Sequence, residues 1–101
     1  TILKVSGEMD LYSFHPFVEG VMGVINMGTK HILVDASELE YLDSSGVGGI
    51  SRLLQAAKTK GARLAFAGLT GTPHKVLSMC NVLVLINSYP DLAQARAFLR
   101  N

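Results

Sequence analysis

A single cysteine, Cys80, serves all 101 residues, so no internal disulfide can form. A lone thiol fits a reducing, cytoplasmic compartment, and its place in an apolar helical stretch reads as packing rather than chemistry. No run of about 20 apolar residues occurs, so no segment is expected to insert in a membrane, and no secretory leader is evident. Net charge is nearly absent, at +1. That balance removes any global argument for direct nucleic-acid binding. The histidines His15, His31 and His74 lack metal-ligand spacing, and the one cysteine adds no ligand set. No linker, repeat or low-complexity segment divides the chain, so its length makes one domain.

What is present is apolar material and an uneven distribution of charge. Apolar residues are 49% of the chain, enough for a core, although a domain this small buries only roughly 60–70% of its unfolded surface. Residues 1–43 hold seven of the eight acidic residues, from Glu8 to Asp43, against Lys4 and Lys30. Residues 44–101 hold the other seven basic residues against Asp91 alone. Such asymmetry marks an acidic contact face unless the fold interleaves the halves and mixes the charges.

Periodicity orders the chain as βαβαβαβα. Ile2 to Ser6 reads as a strand broken by Gly7. Phe14, Phe17, Val18, Val21 and Ile25 share one helical face, with Pro16 in the first turn and Gly28 as the stop. Gly20 and Gly23 weaken that helix or allow close packing. His31 to Asp35 is a buried strand, and Glu38, Glu40 and Tyr41 form a polar loop behind it. A second helix follows Asp43, with Val47, Ile50, Leu54 and Ala57 inward, Leu53 beside them and Gly61 at its end. Arg63 to Leu69 is the third strand. Thr72 caps a third helix with Pro73 at its first position and Val76, Leu77 and Cys80 on its apolar side. Val82 to Ile86 is the fourth strand, and Asp91 caps a last helix with Leu92, Ala95, Phe98 and Leu99 inward. This alternation predicts an α/β domain of repeated βα units: a mostly parallel four-stranded sheet with crossover helices.

The most informative stretch is Asp43-Ser44-Ser45-Gly46-Val47-Gly48-Gly49, between a strand region and a helix start. A serine there is able to cap the helix, and the partial positive charge of a helix N-terminus suits a phosphate, bound or covalently attached. Gly46, Gly48 and Gly49 keep side chains out of the first turn, so a second protein has room to approach. Read from these residues alone, the stretch is first a plain helix start, since serine capping is common and phosphoacceptors are rare. It contains no dinucleotide fingerprint, no phosphate loop and no nucleophile elbow. A serine nucleophile needs a histidine base, and neither His31 nor His74 is placed beside Ser44. A small phosphate- or nucleotide-binding module remains an alternative.

These segments resemble STAS domains of the anti-sigma-factor-antagonist type. Gly7-Glu8-Met9-Asp10 resembles the family's G-E-L-D element, and Leu42 to Gly48 resembles its (M/L)-D-S-S-G-L-G signature. Lys60-Gly61 and the strand from Arg63 resemble its K-x-G-x-x-(L/V) segment. Met9 and Val47 replace leucines, and Asn81 stands where glycine is frequent. The resemblance covers essentially residues 1–101. It lacks one short strand that usually precedes the first, which suggests a truncation or a shorter variant.

The resemblance implies the STAS fold and a bacterial, non-enzymatic binding module in transcription regulation, without cofactor. The partner is an anti-sigma factor that is also a serine kinase, bound when Ser44 is unphosphorylated and released when it is phosphorylated. A metal-dependent serine phosphatase reverses the modification. The implied partner-binding residues are Glu8, Asp10, Asp43, Ser44, Ser45, Gly46 and Gly48, with Ser45 a second hydroxyl. The competing reading within the family is a STAS subunit or tail of an anion or lipid transport system.

Overall fold

The computed structural model describes residues 2–9 and 13–100. Four parallel strands, β1 (Ile2–Met9), β2 (His31–Leu42), β3 (Arg63–Ala67) and β4 (Asn87–Tyr89), form one sheet in the order β1-β2-β3-β4. Helices α1 (Phe14–Asn26), α2 (Ser44–Lys60), α3 (Gly71–Met79) and α4 (Leu92–Arg100) follow the strands in turn. Right-handed crossovers between neighbouring parallel strands place their helices on one face. That face carries the larger core, where Val18, Val21 and Ile25 of α1, Ile50 and Leu53 of α2, and Leu77 of α3 meet Ile32, Val34, Leu64 and Phe66. The alternate strand residues Leu33, Ala65 and Ala67 face the other way, against Ala95 and Leu99 of α4. The period-2 alternation of β-structure thus splits HILVD and RLAFA between two layers.

β2 is longer than its apolar run predicts. Its buried residues Ile32, Val34 and Ala36 are two apart, but Leu39 and Leu42 follow at steps of three. Two irregularities in the pairing with β1 absorb the difference: Lys4 pairs with Asp35 and Ser6 with Glu38, then Gly7 with Leu39 and Glu8 with Tyr41. Each time β2 carries one extra residue, and each β-bulge returns the next leucine to the core. The expected loop at Glu38–Tyr41 is therefore strand. Gly7 does not end β1; it takes φ +75° at the second bulge, and the strand runs on to Met9.

Other boundaries move for local reasons. The chain leaves β3 through Gly68 at φ +79°, and α3 begins at Gly71 after Thr70, so Pro73 is the third helical residue and Thr72 is not the cap. Pro73 still lies in the first turn, where no N–H is needed. Asn81, at φ 59°, ends α3, as an asparagine tolerates. Val82 to Ile86 is not a strand: Leu85 N–H donates to Val82 O (2.9 Å) and Ile86 N–H to Leu83 O (3.1 Å), closing a 3-10 turn over Leu83–Leu85. Pairing with β3 starts only at Asn87. Cys80 is exposed rather than packed. Leu53 is fully buried and Leu54 only half-buried, the reverse of their expected order. Asp91 caps α4 as expected, its Oδ1 accepting Gln94 N–H at 2.9 Å.

A Cβ added at Gly20 or Gly23 would meet nothing within 4 Å, so these glycines do not serve close packing. Gly20→Ala should stabilise the domain by about 0.5–1 kcal/mol, measured by urea denaturation.

At the first bulge, Asp35 Oδ1 accepts the Ser37 hydroxyl (2.7 Å) and the Ser37 N–H (3.1 Å). These bonds, with Lys4 nearby, hold the Asp35 carboxyl below the ordinary carboxylate value. A depressed folded value contributes stability that is present above the unfolded value and lost as pH falls through the folded one. Ser37→Ala should raise the Asp35 value in a carboxyl NMR titration; an unmoved titration would contradict the assignment.

Candidate functional site

In a parallel sheet every strand ends on the same edge, and here each helix opens from that edge. β1 and β2 end side by side, with Glu8 opposite Tyr41 and Met9 opposite Leu42. Asp43 N–H then donates to Met9 O at 3.3 Å, one step beyond the ladder. This fixes Asp43 in an extended conformation as the N-cap of α2. Its Oδ1 accepts Ser45 N–H at 2.9 Å and Gly46 N–H at 3.3 Å, satisfying two of the helix's free donors. The cap is therefore Asp43 and not a serine; Ser44 is the first helical residue.

The glycines divide by role. A Cβ at Gly46 would lie 2.3 Å from Leu42 Cδ1 and 2.7 Å from Met9 O. One at Gly49 would lie 2.7 Å from Val18 Cγ2 and 3.0 Å from Phe14 Cδ2. Both are buried and admit the strand ends and α1 against α2, rather than opening the surface to a visitor. Gly48 is exposed, with nothing within 4 Å of an added Cβ. It stands one turn after Ser44 on the same side of the helix. Ser44 is itself exposed, while Ser45 is half-buried.

Of the expected site residues, the structure thus gathers Glu8, Asp43, Ser44, Ser45, Gly46 and Gly48 at one edge, with Glu8, Ser44 and Gly48 exposed. Asp10 lies outside the described residues. Glu8 contributes a second tie: its carbonyl accepts the Ser13 hydroxyl at 2.6 Å, joining the end of β1 to the start of α1. Tyr41, opposite Glu8 and 43% exposed, adds an aromatic ring that the reading of Glu38–Tyr41 as a loop did not place at the site. Met9 and Leu42, both 1% exposed, form the clamp under the site.

His15 and His74, near the starts of α1 and α3, lie toward this same edge. His31 opens β2 at the opposite edge from Ser44. His15 Nε2 is 2.9 Å from Glu19 Oε1 along α1. Among the described residues no group of three His, Cys, Asp or Glu is placed to hold a metal ion, and no helix is long and apolar enough to cross a membrane.

The STAS domain family model matches residues 1–95. The chain belongs to the STAS domain family. Solved STAS structures agree with the fold over nearly all of it. A Thermotoga maritima protein provisionally classed as an anti-sigma factor antagonist superposes with TM-score 0.90 at 25% identity, over 99% of this chain and 86% of that one. The anti-sigma factor antagonist SpoIIAA in its unphosphorylated form gives 0.76 at 19% identity, over 98% and 84%. The STAS domain of a SulP transporter from Vibrio cholerae gives 0.73 at 18% identity, over 93% and 75%. The fold therefore occurs in both antagonists and transporter domains.

The Asp43 cap gives this STAS domain a measurable dependence. Asp43→Ala should cost about 0.5–2 kcal/mol and Asp43→Asn much less, since either capping oxygen accepts the same N–H groups. Gly46→Ala should cost about 1–3 kcal/mol by overpacking, whereas Gly48→Ala should not destabilise. Thermal and urea unfolding of the four variants decide the pattern.

Proposed function

We propose that this STAS domain is an anti-sigma factor antagonist whose binding to an anti-sigma factor kinase is switched by phosphorylation of Ser44. The observation that carries this reading is the exposure of Ser44 on the first turn of α2, beside the bare surface at Gly48. Ser45, half-buried, is the poorer acceptor. The similarity to two anti-sigma factor antagonists, one solved in an unphosphorylated form, supports the same assignment. A serine phosphatase would reset the switch.

The switch is electrostatic and steric. A phosphate on Ser44 adds about −1.5 to −2 charges at neutral pH. At a helix N-terminus the dipole favours that charge by roughly 0.3–1 kcal/mol, so the domain stays folded. In the complex the same phosphate is stripped of water against the partner and lies next to Asp43. A loss of about 3 kcal/mol there weakens affinity more than 100-fold, because about 1.4 kcal/mol is a factor of ten.

The likeness to the SulP transporter domain supports a second reading, a transport-associated STAS module, which co-purification with a membrane complex would reveal. The first reading is tested by calorimetric titration against the anti-sigma factor kinase of the same organism. Ser44→Ala should bind it as the unmodified protein does, and Ser44→Asp should bind more than about 100-fold more weakly with a melting temperature that is not lowered. Equal affinities for the two variants would contradict the switch.

A further inference from the structure

The connection from α3 to β4 holds apolar side chains that the core does not use. Val82 and Ile86 are buried at 8% exposure, but between them Val84 is 85% and Leu85 69% exposed. Met79, at the end of α3, is 73% exposed. Of the six large hydrophobics exposed among the described residues, two thus lie in this short connection and a third, Met79, is the helix residue just before it. Scattered single leucines on a surface need no account, but a cluster marks an interaction site. Nor is the connection slack: the hydrogen bonds from Leu85 N–H to Val82 O and from Ile86 N–H to Leu83 O hold the turn closed.

Leu85 forms one wall of a groove of about 620 Å³, opposite the C-terminal half of α2. Leu54, Ala57, Ala62 and Leu64 supply apolar surface inside it. Ser51, Gln55 and Lys58 of α2 and Asn87 of β4 line it with polar groups, and no carboxylate is among its lining residues. Lys60 ends α2 two residues after Lys58, and Lys30 Nζ donates to the Lys60 carbonyl at 2.7 Å. The groove is thus apolar inside and cationic at one end. A recess of this form receives the side chains of a helix, whereas a lipid surface lies flat. α2 has seventeen residues, which separates this end from Ser44 by about 20–25 Å at the helical rise.

We propose that this groove docks an acidic amphipathic helix of a partner protein, whose apolar side chains enter between α2 and the Leu83–Leu85 turn while its carboxylates meet Lys58. The groove begins at Ser51, two turns beyond Ser44 on the same side of α2 and about 10 Å along its axis, and runs away from that edge to Lys58, so a helix seated at the Lys58 end is bound in either state of Ser44. It gives the domain a second, constitutive attachment, leaving the Ser44 edge free for a regulated one.

The probe is a helical peptide of about 15 residues with leucines at i, i+3, i+4 and i+7 and glutamates on the flanks. It is titrated into isotopically labelled protein and followed by amide shifts. Its counterpart carries lysine at each glutamate, and phosphatidylglycerol vesicles form a third arm. Saturable shifts at Leu54, Lys58, Leu85 and Asn87, at least about tenfold weaker with the lysine peptide, would bear the proposal out. Leu85→Asp should abolish them, Lys58→Glu should weaken binding about tenfold, and Ser44→Asp should leave it unchanged. Both groove substitutions are at exposed residues, and circular dichroism checks that each variant folds. Equal binding of the two peptides, or shifts centred away from the groove, would overturn the proposal. So would binding of the vesicles alone, which would make the patch a membrane contact. Self-association that Leu85→Asp removes would make the occupant a second copy and overturn it too.

Discussion

Gly46 lies so close beneath the ends of β1 and β2 that a methyl group there would stand 2.3 Å from Leu42 Cδ1 and 2.7 Å from the Met9 carbonyl. That contact sets the start of α2. With Gly46 pressed inward and Asp43 bonded to Met9 O on one side and to two helix N–H groups on the other, the first of the two serines between them is turned out and the second is half-buried. Ser44 is exposed because its neighbours are fixed. A hydroxyl so placed is within reach of another protein without any movement of the fold, and its modification disturbs no core contact.

The order of elements was legible in the sequence, because short apolar strand runs, of which β2 and β3 are the buried ones, alternate with helices of clear 3.6-residue period. The α1 face from Phe14 to Ile25, the Gly61 stop and the Asp91 cap all lie where periodicity and capping put them. The second half of β2 was not legible. Leu39 and Leu42 break the alternation by one residue each, and a bulge is a pairing property that a single strand does not display. The fourth strand was misplaced for the opposite reason. Val82 to Ile86 has the composition of a strand, yet pairing with β3 falls on the more polar Asn87–Tyr89. At the site, the motif disclosed Asp43 and Ser44, but the division of labour among the glycines depends on what lies beneath each one.

The charge asymmetry of the sequence is only partly kept in the fold. β1 and β2 carry Glu8, Glu38 and Glu40, but α4 packs against Leu33 of β2 and brings Arg96 and Arg100 beside Ile2 and His31, and Lys4 pairs with Glu38. Along the strands a second polarity appears. Asp43 and Asp91 stand where α2 and α4 begin, and Lys58, Lys60 and Arg100 stand in the last turns of the same helices. Both signs complement the helix dipoles.

The central claim is that Ser44 carries a reversible phosphate, and mass spectrometry of the protein isolated from its native cells tests it most directly. Intact mass and peptide fragmentation are compared before and after treatment with a serine phosphatase. The account predicts a single removable phosphate on Ser44, with Ser45 unmodified. A phosphate confined to another residue, or none under any growth condition, would contradict it and favour the transport-associated reading.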